Sequence, residues 1–239
     1  MNIYTLQNIS CKIDILISRL FVCTSMQLTW LGHASFKIKS GELAIYIDPV
    51  GEPELFTEKA DIILISHHHY DHWSREIVNR IANDNTLIFG PPEVARELFG
   101  TKVLRPGESV THENISITAV AAFQTRTRNI MQHPEGAGIG FLIAANDKTV
   151  FYAGDTDTLP AHAELPKLDV LLVPVGGTYV LTPKEAAALT AQLQPKTAIP
   201  MHWGKTVGHL DDAELFRELV AGRMNTDVQI LAIGGEISI

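Results

Sequence analysis

Four of the ten histidines of this 239-residue chain stand inside one short run, Ser66-His67-His68-His69-Tyr70-Asp71-His72. It follows the apolar run Asp61-Ile-Ile-Leu-Ile-Ser66, which reads as a strand buried on both faces. So many polar and ionisable side chains at a strand end do not form core. The bland readings are a solvated histidine-rich loop and a tract that binds metal by accident. The spacing points elsewhere. In extended backbone His67 and His69 project to one side and His68 to the other. A turn then brings Asp71 and His72 to a second position. The pattern His-x-His-x-Asp-His therefore offers two ligand pairs to two neighbouring cations. Imidazole and carboxylate donors without thiolate suit Zn²⁺ first, with Mn²⁺ or Fe²⁺ as alternatives.

The surrounding elements set the stage for that run. Gln27 to Lys39 and Glu42 to Asp48 read as strands joined by a hairpin at Ser40-Gly41. Ser74 to Ala82 has helical spacing. Thr86 to Phe89 reads as a strand, Pro91 to Phe99 as a short helix, and Lys102 to Arg105 and Ser109 to Phe123 as strands. Gly140 to Ala144 and Thr149 to Ala153 flank a hairpin at Asn146-Asp147. Asp169 to Val175 is a buried strand, and Thr182-Pro-Lys-Glu185 is a capping box that opens a helix to about Gln194. Thr197 to Met201 is a strand, Asp211 to Ala221 a helix, and Val228 to Ile239 closes with strands. This order suits two sheets packed face to face with helices outside, although composition alone does not choose it over other α/β folds.

The motifs also carry a resemblance. Trp30-Leu-Gly-His33-Ala-Ser-Phe and Ile47-Asp48-Pro49 precede the histidine run, and Tyr152-Ala-Gly-Asp155-Thr and Pro200-Met-His202-Trp-Gly follow it. In that order they resemble the metallo-β-lactamase superfamily over nearly all of Met26 to Ile239. The opening Leu-Gly-His-Ala-Ser is similar to the branch that includes L-ascorbate-6-phosphate lactonases and N-acylphosphatidylethanolamine phospholipase D. The resemblance implies an αβ/βα sandwich of two mixed β-sheets flanked by helices. It implies two divalent metal ions, the first on His67 and His69, the second on Asp71, His72 and His202, with Asp155 between them. Two such cations sharing a water supply hydroxide at neutral pH. Asp71 and His33 are the expected catalytic side chains, His33 as a substrate contact or a support for the ligands. Asp48 would accept the outer ring N–H of a ligand histidine.

One departure stands out. Relatives supply a third histidine to the first metal, where this chain reads Ala121-Ala-Phe-Gln124-Thr. An amide oxygen is a weaker donor than imidazole. His133, in His133-Pro-Glu-Gly-Ala-Gly-Ile-Gly140, is the candidate substitute, its alternative being a plain surface turn. Arg126 and Arg128 lie near the expected mouth as anion grips or solvated loop residues. Tyr179 reads as packing before oxyanion donor, His112 and His162 read as surface, and neither Lys205 nor His209 is assigned a role.

Composition narrows the partners. Hydrophobic residues make up 46% and charged residues 19%, a globular balance, and the net charge is −8. An acidic chain without a Lys/Arg cluster disfavours nucleic acid. No run approaches a membrane span of about 20 apolar residues. Residues 1–25 are read as an N-terminal extension, with Met26 as the natural start and 26–239 as the hydrolase domain; the alternative is an amphipathic N-terminal helix docked on that domain. Both cysteines, Cys11 and Cys23, lie in that extension, so the domain has no disulfide framework, which fits the cytoplasm. The expected activity is hydrolysis of a small anionic ester, phosphodiester or lactone. The competing readings are a metal-binding protein of this fold without hydrolase activity, and a nuclease. The oligomeric state is left open.

Overall fold

Alternation of side chains assigns the layers. The computed structural model describes residues 25–125, 131–204 and 206–239. Strands β1 (Met26–Gly32), β2 (Ser35–Ser40), β3 (Leu43–Ile47), β4 (Ile62–Leu64), β5 (Leu87–Gly90) and β6 (Lys102–Val103) lie side by side in chain order. A second sheet holds β7 (Ser109–His112), β8 (Ile115–Ala122), β9 (Gly138–Ala145), β10 (Lys148–Tyr152), β11 (Val170–Pro174), β12 (Thr197–Met201) and β13 (Asp227–Val228). Strand β14 (Glu236–Ser238) returns to pair with β1, so each sheet has seven strands.

The two sheets share a plan. Strands β1 to β3 pair antiparallel, and β3 to β6 run parallel. Likewise β7 to β10 are antiparallel, and β10 to β13 are parallel. Ile45, Ile47, Ile62 and Leu64 face Phe141, Ile143, Val170 and Leu172 in the core between the sheets. Their neighbours Tyr46, Ile63 and Ile65 face outward beneath helices α1 (Arg75–Ile81) and α2 (Pro92–Glu97). On the far side Leu171, Val173 and Ala198 pack under α3 (Pro183–Leu193) and α4 (Leu210–Val220). Strands apolar on both faces are what parallel strands covered on both sides require. The result is the expected αβ/βα sandwich of two mixed sheets.

The capping box at α3 forms as read: Thr182 Oγ1 accepts the Glu185 N–H at 3.3 Å, and the Glu185 carboxylate accepts the Thr182 N–H at 2.8 Å. Two strand runs are shorter than the sequence reading. The run Gln27–Lys39 breaks at Gly32-His33, where φ is +104° and +50°, and folds back as the β1–β2 hairpin. The run Ser109–Phe123 breaks at Glu113, also at positive φ, so that His112 ends β7 half-buried rather than lying in a surface turn. Residues 1–24, with both cysteines, and Arg126, Arg128 and Lys205 lie outside the described residues. Among those described, no helix is long and apolar enough to cross a membrane.

Candidate metal centre

The chemistry gathers at one end of the sandwich, where several strands from both sheets end. Asp48 follows β3, the histidine run follows β4, Gln124 follows β8, Asp155 follows β10 and His202 follows β12. His33 occupies the β1–β2 turn. Three of these residues, His33, Asp48 and His202, have φ of +50°, +45° and +59°. Non-glycine residues rarely adopt this region, and where they do a functional constraint is a common cause. The His33 carbonyl accepts the His202 amide at 2.9 Å and the Trp30 indole N–H at 3.0 Å, which ties the tip of one sheet to the tip of the other. At the end of β11, a Cβ on Gly176 would collide with the His202 carbonyl oxygen and lie 3.2 Å from its Nδ1, so only glycine lets the chain pass beneath this histidine.

Asp155 is the hub. Its Oδ2 lies 3.0 Å from His202 Nε2, 3.2 Å from His133 Nε2 and 3.9 Å from His67 Nε2, and its Oδ1 lies 3.3 Å from His72 Nε2. The donor atoms form two groups on either side of it. His67, His69 and His133 make one, with His67 Nε2 to His69 Nδ1 at 3.1 Å and His133 Nε2 to His69 Nδ1 at 3.2 Å. His33, Asp71, His72 and His202 make the other, with His33 Nε2 to Asp71 Oδ2 at 3.3 Å. His68 belongs to neither group.

His133 therefore faces the cluster and Gln124 does not take its place. The Gln124 Oε1 accepts the backbone N–H groups of Gln132 at 2.5 Å and His133 at 2.9 Å, while the Gln124 backbone N–H donates to the His133 carbonyl at 2.8 Å. The glutamine side chain fixes the backbone that presents the histidine. Sequence reasoning placed His33 as a contact or support; the structure puts its Nε2 inside a donor group.

Asp48 is fully buried and accepts four hydrogen bonds. The Ser66 N–H donates at 2.6 Å and the Ser66 hydroxyl at 2.5 Å. The Tyr152 hydroxyl and His72 Nδ1–H each donate at 2.6 Å. With Nδ1–H engaged by Asp48, the ring turns His72 Nε2 toward Asp155. His67 Nδ1–H donates to Ser66 Oγ at 2.9 Å, which turns its Nε2 inward in the same way. Nothing in the sequence pattern marks Tyr152 for this role, because it sits within an ordinary buried strand.

Electrostatics follow from burial and from the two carboxylates. Burial lowers the His67 pKa, lowers that of His33, and takes His69 down to about 4, so these rings stay neutral and their lone pairs free. Burial also works against charge on His72, but Asp155 and Asp48 together hold its pKa well above the ordinary value. Burial would raise Asp155 and Asp71. Instead His202 and His72 keep Asp155 well below the carboxylate range, and the His33 hydrogen bond keeps Asp71 at about 2. Among the described residues, His72 Nε2, His202 Nε2 and Asp155 Oδ1 are buried without a hydrogen-bond partner. Buried polar atoms that converge without pairing are costly unless a further group binds them. Imidazole nitrogens and ionised carboxylates are the donor set a divalent transition metal takes, and a bound ion would displace the proton that the two carboxylates favour on His72, so the residues fit such ions.

Other residues lie elsewhere. His162 is not surface: it is fully buried in the 3-10 turn Pro160–Glu164, its ring 5.6 Å from Phe151 and its Nδ1 accepting the Leu159 N–H at 3.3 Å. His209 is exposed ahead of α4, and Tyr179 is in neither donor group.

Comparison with known proteins places the chain in a family. The description of the β-lactamase superfamily domain matches residues 27–202. A UPF0173 metal-dependent hydrolase of Pyrobaculum islandicum is 30% identical over 230 residues, covering 90% of this chain and all (100%) of that protein. A UPF0173 protein of Pyrococcus furiosus is 33% identical over 204 residues, 83% of this chain and 93% of its own. A crystal structure described as a metal-dependent hydrolase from Parabacteroides distasonis superimposes with a TM-score of 0.78 at 28% identity, covering 86% of this chain and 92% of that one. The metallo hydrolase Igni18 of Ignicoccus hospitalis shares the fold at a TM-score of 0.76 and 22% identity, over 90% of this chain and 98% of its own. With its histidine run, its two seven-stranded sheets and these relatives, the chain belongs to the metallo-β-lactamase superfamily, among the UPF0173 metal-dependent hydrolases.

Proposed function

We propose that the chain holds two divalent metal ions, Zn²⁺ foremost and Mn²⁺ or Fe²⁺ otherwise, and hydrolyses a small ester, phosphodiester or lactone. His67, His69 and His133 would hold one ion. Asp71, His72 and His202, with His33 in reach, would hold the other, and Asp155 would serve both. The observation that carries this reading is the convergence of buried imidazole nitrogens from both groups on the Asp155 carboxylate, with His72 Nε2 and His202 Nε2 left without a hydrogen-bond partner. When bound, such ions act as Lewis acids that lower the pKa of water and polarise the oxygen under attack.

The chain's own residues do the rest. Asp48 and Ser66 fix the ring orientations of His72 and His67 and so keep their inner nitrogens available. Gln124 holds the His133 backbone. Asp71, oriented by His33, stands where the cluster meets an open cavity and is placed to accept a proton from a water that enters there. The net charge of −8 and the metal-type donor set support a small substrate over nucleic acid, and the lack of cysteine in 26–239 is in keeping with the cytoplasm. A metal-binding role without hydrolysis rested on Gln124 breaking the ligand set; the position of His133 removes that support.

The test is metal analysis of purified protein followed by a screen of carboxyl ester, phosphodiester and lactone substrates. Near two equivalents of metal and turnover of one class are expected. Full metal occupancy without turnover on any of them returns the reading to metal binding alone. Duplex DNA or structured RNA bound tightly at physiological salt would point to a nuclease.

A further inference from the structure

A cavity of about 610 Å³ opens beside the Asp71 half of the centre. Its walls are Trp30, Leu31, Val50, Leu55, Trp203 and Ile233, and His33 and Asp71 form its inner end. The residues of the other donor group, His67, His69 and His133, do not line it. The two indole rings pack with centroids 4.7 Å apart. Their polar atoms are engaged elsewhere: the Trp30 N–H donates to the His33 carbonyl and the Trp203 N–H to the Pro200 carbonyl, each at 3.0 Å. What they offer the cavity is hydrocarbon and π surface. At the mouth, Ile233 is 61% exposed and Tyr70 is 80% exposed, large apolar side chains facing water beside a polar cluster. Among the described lining residues the acidic and imidazole side chains are Glu52, Asp71 and His33.

Taking the hydrolytic reading as its premise, we infer that this cavity binds an uncharged apolar substituent of the substrate, an acyl chain or aromatic ring, while the ester group under attack lies at the His33–Asp71 end. An apolar cavity of this size with convergent polar groups at one end is how ligand sites are generally built. The apolar walls favour a neutral substituent, and any negative charge on the substrate belongs at the metal centre instead. In the reaction, water oxygen bonds to the acyl carbon, the ester C–O bond breaks, and the leaving oxygen departs with a proton from that water.

The experiment uses zinc-loaded protein and p-nitrophenyl acetate, butyrate, hexanoate and octanoate. Values of kcat/KM are expected to rise by about threefold per added methylene until the cavity is filled. Ile233→Asp changes an exposed side chain at the mouth; it should flatten the series, lowering octanoate turnover most and acetate turnover least. In parallel, the neutral probe N-phenyl-1-naphthylamine is titrated with excitation of tryptophan. Energy transfer in the wild type, weakened at least fivefold in Ile233→Asp, supports the cavity as a binding site. If none of the esters turns over yet the probe binds and Ile233→Asp abolishes it, the hydrolytic reading fails on carboxyl esters and the apolar site stands. Turnover with a flat chain-length profile and no probe binding overturns the cavity assignment and leaves the hydrolase intact. If light scattering shows that Ile233→Asp splits a dimer while both readouts stay unchanged, the face covers a second copy and the inference is wrong.

Discussion

At Asp155 two donor groups meet, so its loss should reach both. Asp155→Ala is expected to lower bound metal and turnover together, measured by elemental analysis and a rate assay on the same preparation. His68→Ala, between two proposed ligands in sequence but in neither donor group, should change either by less than twofold. Retained metal and rate in Asp155→Ala would refute its bridging place. His162 gives a residue-scale prediction away from the centre. Burial holds its pKa down at about 4 against an ordinary 6.5. The unfolded chain thus takes up this proton more readily, and stability is full above pH 6.5 and lost as pH falls toward 4. The loss from this group alone approaches about 3 kcal/mol at the acid end. His162→Gln keeps an acceptor for the Leu159 N–H but does not titrate. Urea unfolding at pH 7.5 and pH 4.5 should show a smaller difference in the variant, and an unchanged difference would rule His162 out as the cause.

Among the elements, the segment from β8 to β9 carries His133, the ligand proposed in place of the histidine expected at Gln124. Gln124 accepts two backbone N–H groups and thereby sets where His133 stands. Gln124→Leu removes that acceptor and leaves two amides without their partner. Metal affinity is expected to fall by about tenfold at one of two sites, with the fold intact by circular dichroism. If isothermal titration finds both sites unchanged, the loop is held by other contacts. The β1–β2 turn works in the same manner. His33 lies at φ +50°, and its carbonyl receives the His202 amide and the Trp30 indole. A residue that carries a donor side chain also fastens the turn that aims it.

For the whole molecule, the centre spans the seam between the sheets. His67, His69, Asp71 and His72 come from the first sheet's loops, and His133, Asp155 and His202 from the second's. Ions bound there would cross-link the two halves, and a ligand that binds only the folded state stabilises it by mass action. Removing metal with a chelator should lower Tm by about 10 °C, the shift expected for roughly 4 kcal/mol in a domain of this size. Zinc should restore it. A Tm indifferent to chelation and to zinc would mean that the seam is held by the apolar core alone.

The sequence by itself determined that several strands are covered on both faces, and half of the centre. Continuous apolar runs in β3, β4 and β11 require that cover, which suits a layered sandwich without choosing it over other α/β folds. The spacing of His67, His69, Asp71 and His72 is local, so extended geometry alone places them. Asp155, His133 and His202 are separated from that run by whole strands, and only the packing of one sheet on the other brings their atoms within about 3–4 Å. Motif order pointed to them through resemblance, not through distance. The polar side chain of His162 suggested surface, yet a short turn carries it under Phe151, because burial is a property of the assembled sheet. The left-handed backbone at His33, Asp48 and His202 was equally illegible. Residue type permits many conformations there, and the selection among them is made by long-range hydrogen bonds that exist only after the two strand ends have met.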